Sequence, residues 1–241
     1  GFTILFLFWS ITMLAKKFVK KPEEMTTAQM IAVFGSGLVG SLAYAFSDTF
    51  WYSAVEGEVY AMSSCFTAIV FWAILKWESQ ADDTHNLRWL LLIAFLIGIS
   101  IGVHLLNLLA IPAVTYVYYF KKFPHVEKNK KKKFVLVGVI SMVLVAFILY
   151  FVVPYIVILA GKFEIFFTNS LNAPFNTGTI VYFVLLIAAI AFGLYYSTKK
   201  NKPVLNASIL SLLFILVGYT TFLVLVIRAN ANTPINENAP K

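Results

Sequence analysis

The chain has 241 residues, of which 60% are hydrophobic and 12% are charged, and its mean hydropathy is +0.83. These values exclude an ordinary soluble domain, so we predict an all-α, polytopic transmembrane helical bundle. The formal net charge of +8 comes mostly from lysines clustered between apolar segments, a pattern that encodes membrane topology and argues against a nucleic-acid partner.

Eight apolar segments follow one another along the chain, and each approaches the roughly 20 residues of a membrane-spanning helix. They cover residues 2–15, 27–46, 59–75, 87–103, 105–120, 134–160, 179–197 and 204–227. The first segment is too short to cross a bilayer, so we predict about seven complete spans, one truncated span and a chain that is part of a longer protein. The transmembrane domain is predicted over residues 1–228, with the start of an extracytoplasmic loop or tail over 229–241.

The polar connections between these segments alternate in charge. Residues 16–21, 76–88, 121–133 and 199–202 carry most of the lysines, whereas the intervening connections carry few cations. Because basic loops remain in the cytoplasm, this alternation predicts that residues 47–58, 104–107, 162–177 and those after Arg228 are extracytoplasmic.

Two apolar segments meet at His104 without a conventional polar turn. They could form one long bent helix, but the basic connections on both sides require two crossings between them. We therefore predict a tight helical hairpin that reverses at His104. Small residues at Gly35, Gly37, Gly98 and Gly102 are spaced to let helices approach one another closely.

Three carboxylates, Asp48, Glu56 and Glu58, lie among aromatic residues between two apolar segments. Acidic side chains at the boundary of a span are costly unless they are paired, bind metal or face water, so these three are candidate functional residues. A continuous helix would separate Asp48 from Glu56 by about 12 Å, too far to share a metal ion. A shared site would need a bend, for which Gly57 is the candidate hinge.

The sequence resembles a known family in three segments: 46–62 (FSDTFWYSAVEGEVYAM), 98–107 (GISIGVHLLN) with Pro112, and 228–240 (RANANTPINENAP). They are similar to a bacterial multi-pass membrane family related to the eukaryotic protein O-mannosyltransferase of plexin-type extracellular domains. This resemblance implies a GT-C-like fold in the bacterial inner membrane. It also implies transfer of a mannose-like sugar from a polyprenyl-phosphate donor to an extracytoplasmic protein acceptor.

The resemblance also suggests roles for individual residues. Asp48, Glu56 and Glu58 are the candidate catalytic acids, and a divalent metal at Asp48 and Glu56 is left open. The candidate contacts to substrate or phosphate are Arg228, Trp51, Tyr52, His104 and Asn107. His104 has two alternative roles, as a ligand or proton carrier and as a structural residue that hydrogen-bonds at a helix end.

One feature of the family is absent from this chain. Family members carry an acidic Asp-x-Gly-Glu segment in the first extracytoplasmic loop, and this sequence begins after it, so we expect the fragment alone to be inactive. Two alternatives therefore stay open. One is a transporter or flippase for lipid-linked sugar, and the other is a non-catalytic membrane subunit of an envelope assembly.

Overall fold

The computed structural model describes residues 1–57, 59–123 and 129–231, and these residues are helical without any strand. In chain order the α-helices of this part are α1 (Phe2–Lys16), α2 (Thr27–Ala45), α3 (Asp48–Val55), α4 (Val59–Ser79), α5 (Leu87–Ile101), α6 (Ala110–Lys122), α7 (Lys130–Phe147), α8 (Val153–Leu171), α9 (Thr177–Lys199), α10 (Pro203–Tyr219) and α11 (Phe222–Asn230). A 3-10 segment, Leu105–Leu109, precedes α6, and a π-helical segment, Ile148–Val152, joins α7 to α8.

Within the described residues, five helical segments are long and apolar enough to cross a membrane: Thr27–Ala45, Val59–Ser79, Lys130–Leu171, Thr177–Lys199 and Pro203–Val224. Their surfaces keep large apolar side chains exposed, such as Val143 and Ile187, which suits a helix surrounded by lipid. The helices Phe2–Lys16 and Leu87–Ile101 are apolar but shorter. A multi-pass helical membrane protein is therefore confirmed, whereas the count of seven complete spans plus one truncated span stays a prediction.

The described residues divide into two compact units. The first unit contains those of Gly1–His125 and Phe214–Lys241, and the second contains those of Val126–Leu213.

Helix α4 is the centre of the first unit, since it packs against α1, α3, α5 and α6. Its side chains Val70, Ala73, Ile74 and Trp77 are completely buried. Apolar groups that fill such an interior give the neighbouring helices a common packing surface. The polar ends of these helices are therefore held in fixed positions around α4.

One end of the first unit is basic and carries ion pairs. Lys17 pairs with Glu78, and Lys121 Nζ lies 3.1 Å from Asp82 Oδ2. At the start of α5, Trp89 Nε1 donates to Gln80 Oε1 at 2.7 Å. Both α5 and α6 thus have an end beside the carboxyl end of α4, which confirms the hairpin predicted at His104.

Two pairs of helices in the first unit approach closely at glycines. A Cβ added to Gly37 would lie 2.5 Å from Thr12 Cγ2, where α2 crosses α1. A Cβ added to Gly98 on α5 would lie 2.3 Å from the carbonyl oxygen of Ile215 on α10. The close contacts predicted from Gly37 and Gly98 are therefore present, whereas at Gly35 no described residue beyond its chain neighbours and its own helix backbone lies within 4 Å of an added Cβ.

In the second unit, α7 and α8 form one continuous helical run of 42 residues, Lys130–Leu171. The π-helical segment ends just before Pro154, and such a bulge accommodates a residue that cannot donate a backbone hydrogen bond. Our prediction of a loop from residue 162 is wrong, because Lys162 lies inside α8. The chain leaves the helix only at Asn172, which has a left-handed backbone conformation (φ 48°).

Glu164 joins α8 to the beginning of α9. Its carboxylate accepts the backbone N–H groups of Asn176 and Thr179 at 2.6 and 2.9 Å, and the Thr179 hydroxyl at 3.1 Å. The first turn of a helix has N–H groups without intrahelical partners, so a carboxylate there stabilises the helix end. Glu164 is consequently a structural cap for the α8–α9 hairpin.

Candidate functional site

The acidic segment lies at the end of the first unit opposite the ion pairs. Helix α3 follows directly on the carboxyl end of α2 and packs against α4. Tyr60, in the first turn of α4, lies beside His104, with ring centroids 5.4 Å apart. The structure thus brings α3, the start of α4 and the His104 turn to one end of the bundle. We call this the polar end.

Two of the predicted acids are described, and both are exposed. Asp48 occupies the first turn of α3, where the positive end of the helix dipole stabilises an acidic side chain. Glu56 follows the last turn, and Gly57 then takes a left-handed conformation (φ 73°). The backbone therefore turns at Gly57, the residue named as the hinge that a shared site would need. Glu58 lies outside the described residues.

A metal ion shared by Asp48 and Glu56 is not supported by α3 itself. The two carboxylates lie at opposite ends of an eight-residue helix, about 12 Å apart along its axis. Oxygen ligands of Mg²⁺ or Ca²⁺ lie at about 2.0–2.6 Å. Among the described residues, no group of three or more His, Cys, Asp or Glu side chains is arranged to hold a metal ion.

The aromatic residues of α3 divide into packed and exposed sets. Phe50 is buried, and its ring centroid lies 4.6 Å from that of Tyr44 on α2. This contact fixes α3 against the end of α2. Trp51 and Tyr52 are 55% and 62% exposed, so both present large surfaces at the polar end. Flat, exposed aromatic faces of this kind suit stacking on a sugar ring.

His104 is half-buried and has a defined ring orientation. Its Nδ1 accepts the backbone N–H of Leu106 at 3.1 Å, and its own backbone N–H donates to the Ser100 carbonyl at 2.8 Å. Because Nδ1 is the acceptor, a neutral ring carries its proton on Nε2. The structural role that the sequence left open for His104 is thus present, and Nε2 can still act as a hydrogen-bond donor.

Asn107 lies in the interior, with 0% of its surface exposed. Its Oδ1 accepts the Thr67 hydroxyl at 3.0 Å, and its Nδ2 donates to Ser100 Oγ at 2.8 Å. Both ends of the amide are therefore used within the bundle. A direct substrate contact, which the sequence suggested for Asn107, is not favoured by this burial.

A cavity of about 580 Å³ opens beside the polar end. Six polar residues contribute to its lining, together with apolar residues of α1, α4 and α6: Thr3, Ser10, Tyr44, Ser63, Ser64 and Thr67. Ser63 Oγ is buried and has no hydrogen-bond partner among the residues that the structure describes. The volume is within the range of pockets that hold small molecules, about 300–1,000 Å³.

This cavity is not among the features predicted from the sequence. Ser63 and Thr67 are spaced four residues apart on α4, which puts both on one face of the helix. That spacing is the one sequence feature from which a polar cavity at this face could have been suspected. Hydroxyl residues at i and i+4 are also common in ordinary membrane-helix packing, however, so the spacing does not by itself indicate a cavity.

Arg228 is exposed in the last turn of α11. The start of this helix lies near the His104 turn, since a Cβ added to Gly102 would be 3.3 Å from Thr221 Oγ1. Arg228 is seven residues further along the chain, which is about 10 Å along a helix. The polar tail expected over 229–241 lies outside the described residues from position 232 onward.

Together these features define a multi-pass helical membrane protein with a polar end that combines exposed acids, exposed aromatic rings and a half-buried histidine. Residues 1–127 match the family described as the protein O-mannosyl-transferase TMEM260 N-terminal domain, which is more than half of the 241 residues. The chain therefore belongs to this family of mannosyltransferase-related proteins, as the resemblance predicted. No curated protein and no solved structure matches the chain.

The matched range contains segments 46–62 and 98–107 but not segment 228–240. The predicted relation is thus confirmed for the acidic segment and the His104 turn. The part of the resemblance that includes Arg228 stays a prediction.

Proposed function

We propose that the protein is a membrane glycosyltransferase that moves a mannose-like sugar from a polyprenyl-phosphate carrier to a hydroxyl of an extracytoplasmic protein. We place the polar end on the extracytoplasmic side of a bacterial inner membrane, because the lysine-rich end then faces the cytoplasm. The family match carries this proposal, since it covers the residues that gather at the polar end.

The reaction needs a base for the acceptor hydroxyl. In our proposal the hydroxyl oxygen attacks the anomeric carbon while a carboxylate of the acidic segment takes its proton. The bond between that carbon and the phosphate oxygen breaks, and polyprenyl phosphate leaves with the bonding electrons. Asp48, Glu56 and Glu58 are the candidates for the base, and the exposure of the first two leaves them accessible to an acceptor protein.

The departing phosphate needs hydrogen-bond donors or positive charge. We assign the Nε2–H of His104 as one donor, because Nδ1 is already used within the turn. Arg228 is the candidate for a bidentate phosphate contact, since its planar guanidinium matches two oxygens at once. Trp51 and Tyr52 would stack on the sugar or on the acceptor.

The cavity beside the polar end suits part of a substrate that is both polar and apolar. Its hydroxyl groups can bond to a sugar or phosphate, and its apolar wall can contact a hydrocarbon chain. We therefore place the junction between sugar and carrier near Ser63 and Tyr44, within reach of both the acidic segment and the His104 turn.

The experiment uses the full-length protein in nanodiscs with polyprenyl-phosphate mannose that is radiolabelled in the sugar, together with extracytoplasmic protein domains as acceptors. We expect labelled protein and free polyprenyl phosphate to appear in equal amounts. Movement of the labelled lipid across the bilayer without bond cleavage would instead identify a transporter. Absence of both, with stable co-purification of other envelope proteins, would indicate a non-catalytic subunit.

A further inference from the structure

Asn107 connects three segments of the first unit through hydrogen bonds. It lies in the 3-10 segment Leu105–Leu109, its oxygen bonds to Thr67 on α4, and its nitrogen bonds to Ser100 on α5. Thr67 and Asn107 are 40 residues apart in the chain. A buried amide that is bonded at both ends holds its segment in one position, because any shift would leave a buried polar group unpaired.

The orientation of the Asn107 amide follows from its partners. The Ser100 hydroxyl donates its single proton to the Ile97 carbonyl at 2.7 Å, so Ser100 Oγ can only accept from the amide. The nitrogen of Asn107 must therefore face Ser100, and the oxygen faces Thr67, whose hydroxyl lies 3.0 Å from Asn107 Oδ1 and 3.1 Å from the Ser63 carbonyl and shares its proton between them. Aspartate at position 107 would lack the required donor, and leucine would keep the approximate volume without either hydrogen bond.

The same serine also fixes the histidine turn. The Ser100 backbone carbonyl accepts the backbone N–H of His104, while the Ser100 side chain accepts from Asn107. Asn107 lies three positions after His104, and the imidazole caps the 3-10 segment that contains Asn107. The imidazole and the amide therefore belong to one short hydrogen-bonded unit that is held by α4 and α5.

We infer that Asn107 is a positioning residue that sets the direction of His104 Nε2–H toward the substrate at the polar end. This inference rests on the proposed glycosyl transfer, in which Nε2–H donates to the departing phosphate. Asn107 itself does not touch the substrate, since it is completely buried. The Thr67 hydroxyl supports the amide from α4 and at the same time contributes to the lining of the cavity.

The test compares variants that remove the support of the amide with a matched control. Thr67→Val removes the donor to Asn107, and Thr67→Ser restores it. Thr115→Val is the control, because the Thr115 hydroxyl bonds within the described part of the chain to the Ile111 carbonyl of its own helix, at 2.8 Å. We expect Thr67→Val to lower kcat about 10- to 100-fold, the scale of a misplacement near 1 Å. Thr67→Ser should recover most of the kcat lost in Thr67→Val, Thr115→Val should stay close to wild type, and the acceptor KM should change little.

A double-variant comparison separates positioning from a general structural role. Asn107→Leu should lower kcat in the wild-type background but cause no further loss in the His104→Ala background, because the ring whose Nε2–H Asn107 positions is then absent. An equal loss in the two backgrounds would overturn the inference. If Asn107→Leu fails to fold, the same comparison is made with Thr67→Val.

Nitrogen NMR of ¹⁵N-histidine-labelled protein tests the positioning without activity. The chain has three histidines, and the His104→Gln variant identifies the signals of His104 by their loss. Thr67→Val should shift these signals, and Thr115→Val should leave them in place. Unchanged His104 signals in Thr67→Val would refute the inference. If the wild type transfers no sugar, the proposed function fails and this comparison alone decides whether Asn107 holds His104.

Discussion

Replacing Gly98 with alanine should loosen the packing of α5 on α10. An added Cβ would lie 2.3 Å from the Ile215 carbonyl oxygen, 2.9 Å from the Ile215 carbonyl carbon and 3.0 Å from Gly218 Cα. All three are backbone atoms, so no side-chain rotation can relieve the clash. Ordinary contact begins near 3.5 Å, and the two helices would therefore have to separate by about 1 Å.

Overpacking of this kind costs about 1–3 kcal/mol. For a chain of this size, 1 kcal/mol corresponds to a change in Tm of about 2–4 °C, so Gly98→Ala should lower the Tm by about 2–12 °C. Gly35→Ala is the matched control, because among the described residues no atom outside its own helix backbone and chain neighbours lies within 4 Å of its added Cβ. Alanine is the better helix former by about 0.5–1 kcal/mol, so the control should keep or raise the Tm.

The assay is thermal unfolding in detergent, followed by the fluorescence of the five tryptophans. A second measurement, sugar transfer at a temperature at which both variants are folded, tests whether the α5–α10 contact also matters for the His104 turn. The reasoning is refuted if Gly98→Ala is as stable as Gly35→Ala, since the close approach of the two backbones would then not exist.

Two further predictions concern buried hydroxyls and the helix cap. Ser63→Ala removes a buried hydroxyl that has no partner among the described residues and should leave the Tm unchanged or higher, whereas Ser100→Ala leaves the Asn107 nitrogen unpaired and should cost about 1–3 kcal/mol in detergent unfolding. The opposite order of the two Tm values would contradict this assignment. Glu164→Gln removes the charge at the start of α9 and should lower the Tm, whereas Glu23→Gln, an exposed acid, should not. Equal Tm values for these two variants would show that Glu164 does not stabilise the helix end.

Features that depend on local pattern were predictable from the sequence. The reversal at His104 followed from basic connections on both sides of two apolar segments, and the glycine between two acids marked Gly57 as the place where the chain could bend. The close helix contact at Gly98 followed from small residues at regular spacing. At Gly57 and Gly98 the sequence pattern lies within a few residues of the feature itself, whereas the reversal at His104 follows from the more distant basic connections 76–88 and 121–133.

Features that depend on partners far apart in the chain were not predictable. The Asn107 amide is bonded to Thr67, 40 residues away, and the cavity is lined by residues from α1 to α6. Lys162 was expected in a loop because its charge interrupts an apolar run, yet α8 continues to Leu171. Helix formation depends on the backbone and its packing. A single charged residue therefore indicates where a helix leaves the hydrocarbon core of the membrane more reliably than it indicates where the helix ends.

The most direct test of the central claim is sugar transfer by variants of the acidic segment. The full-length protein in nanodiscs is given polyprenyl-phosphate mannose and an acceptor domain, and Asp48→Asn, Glu56→Gln and Glu58→Gln are compared with the exposed control Glu23→Gln. We predict that one of the three variants, folded as judged by its Tm, loses at least about 100-fold in kcat, the effect of removing a general base. Transfer at the wild-type rate by all three variants would contradict the placement of the catalytic base at the polar end.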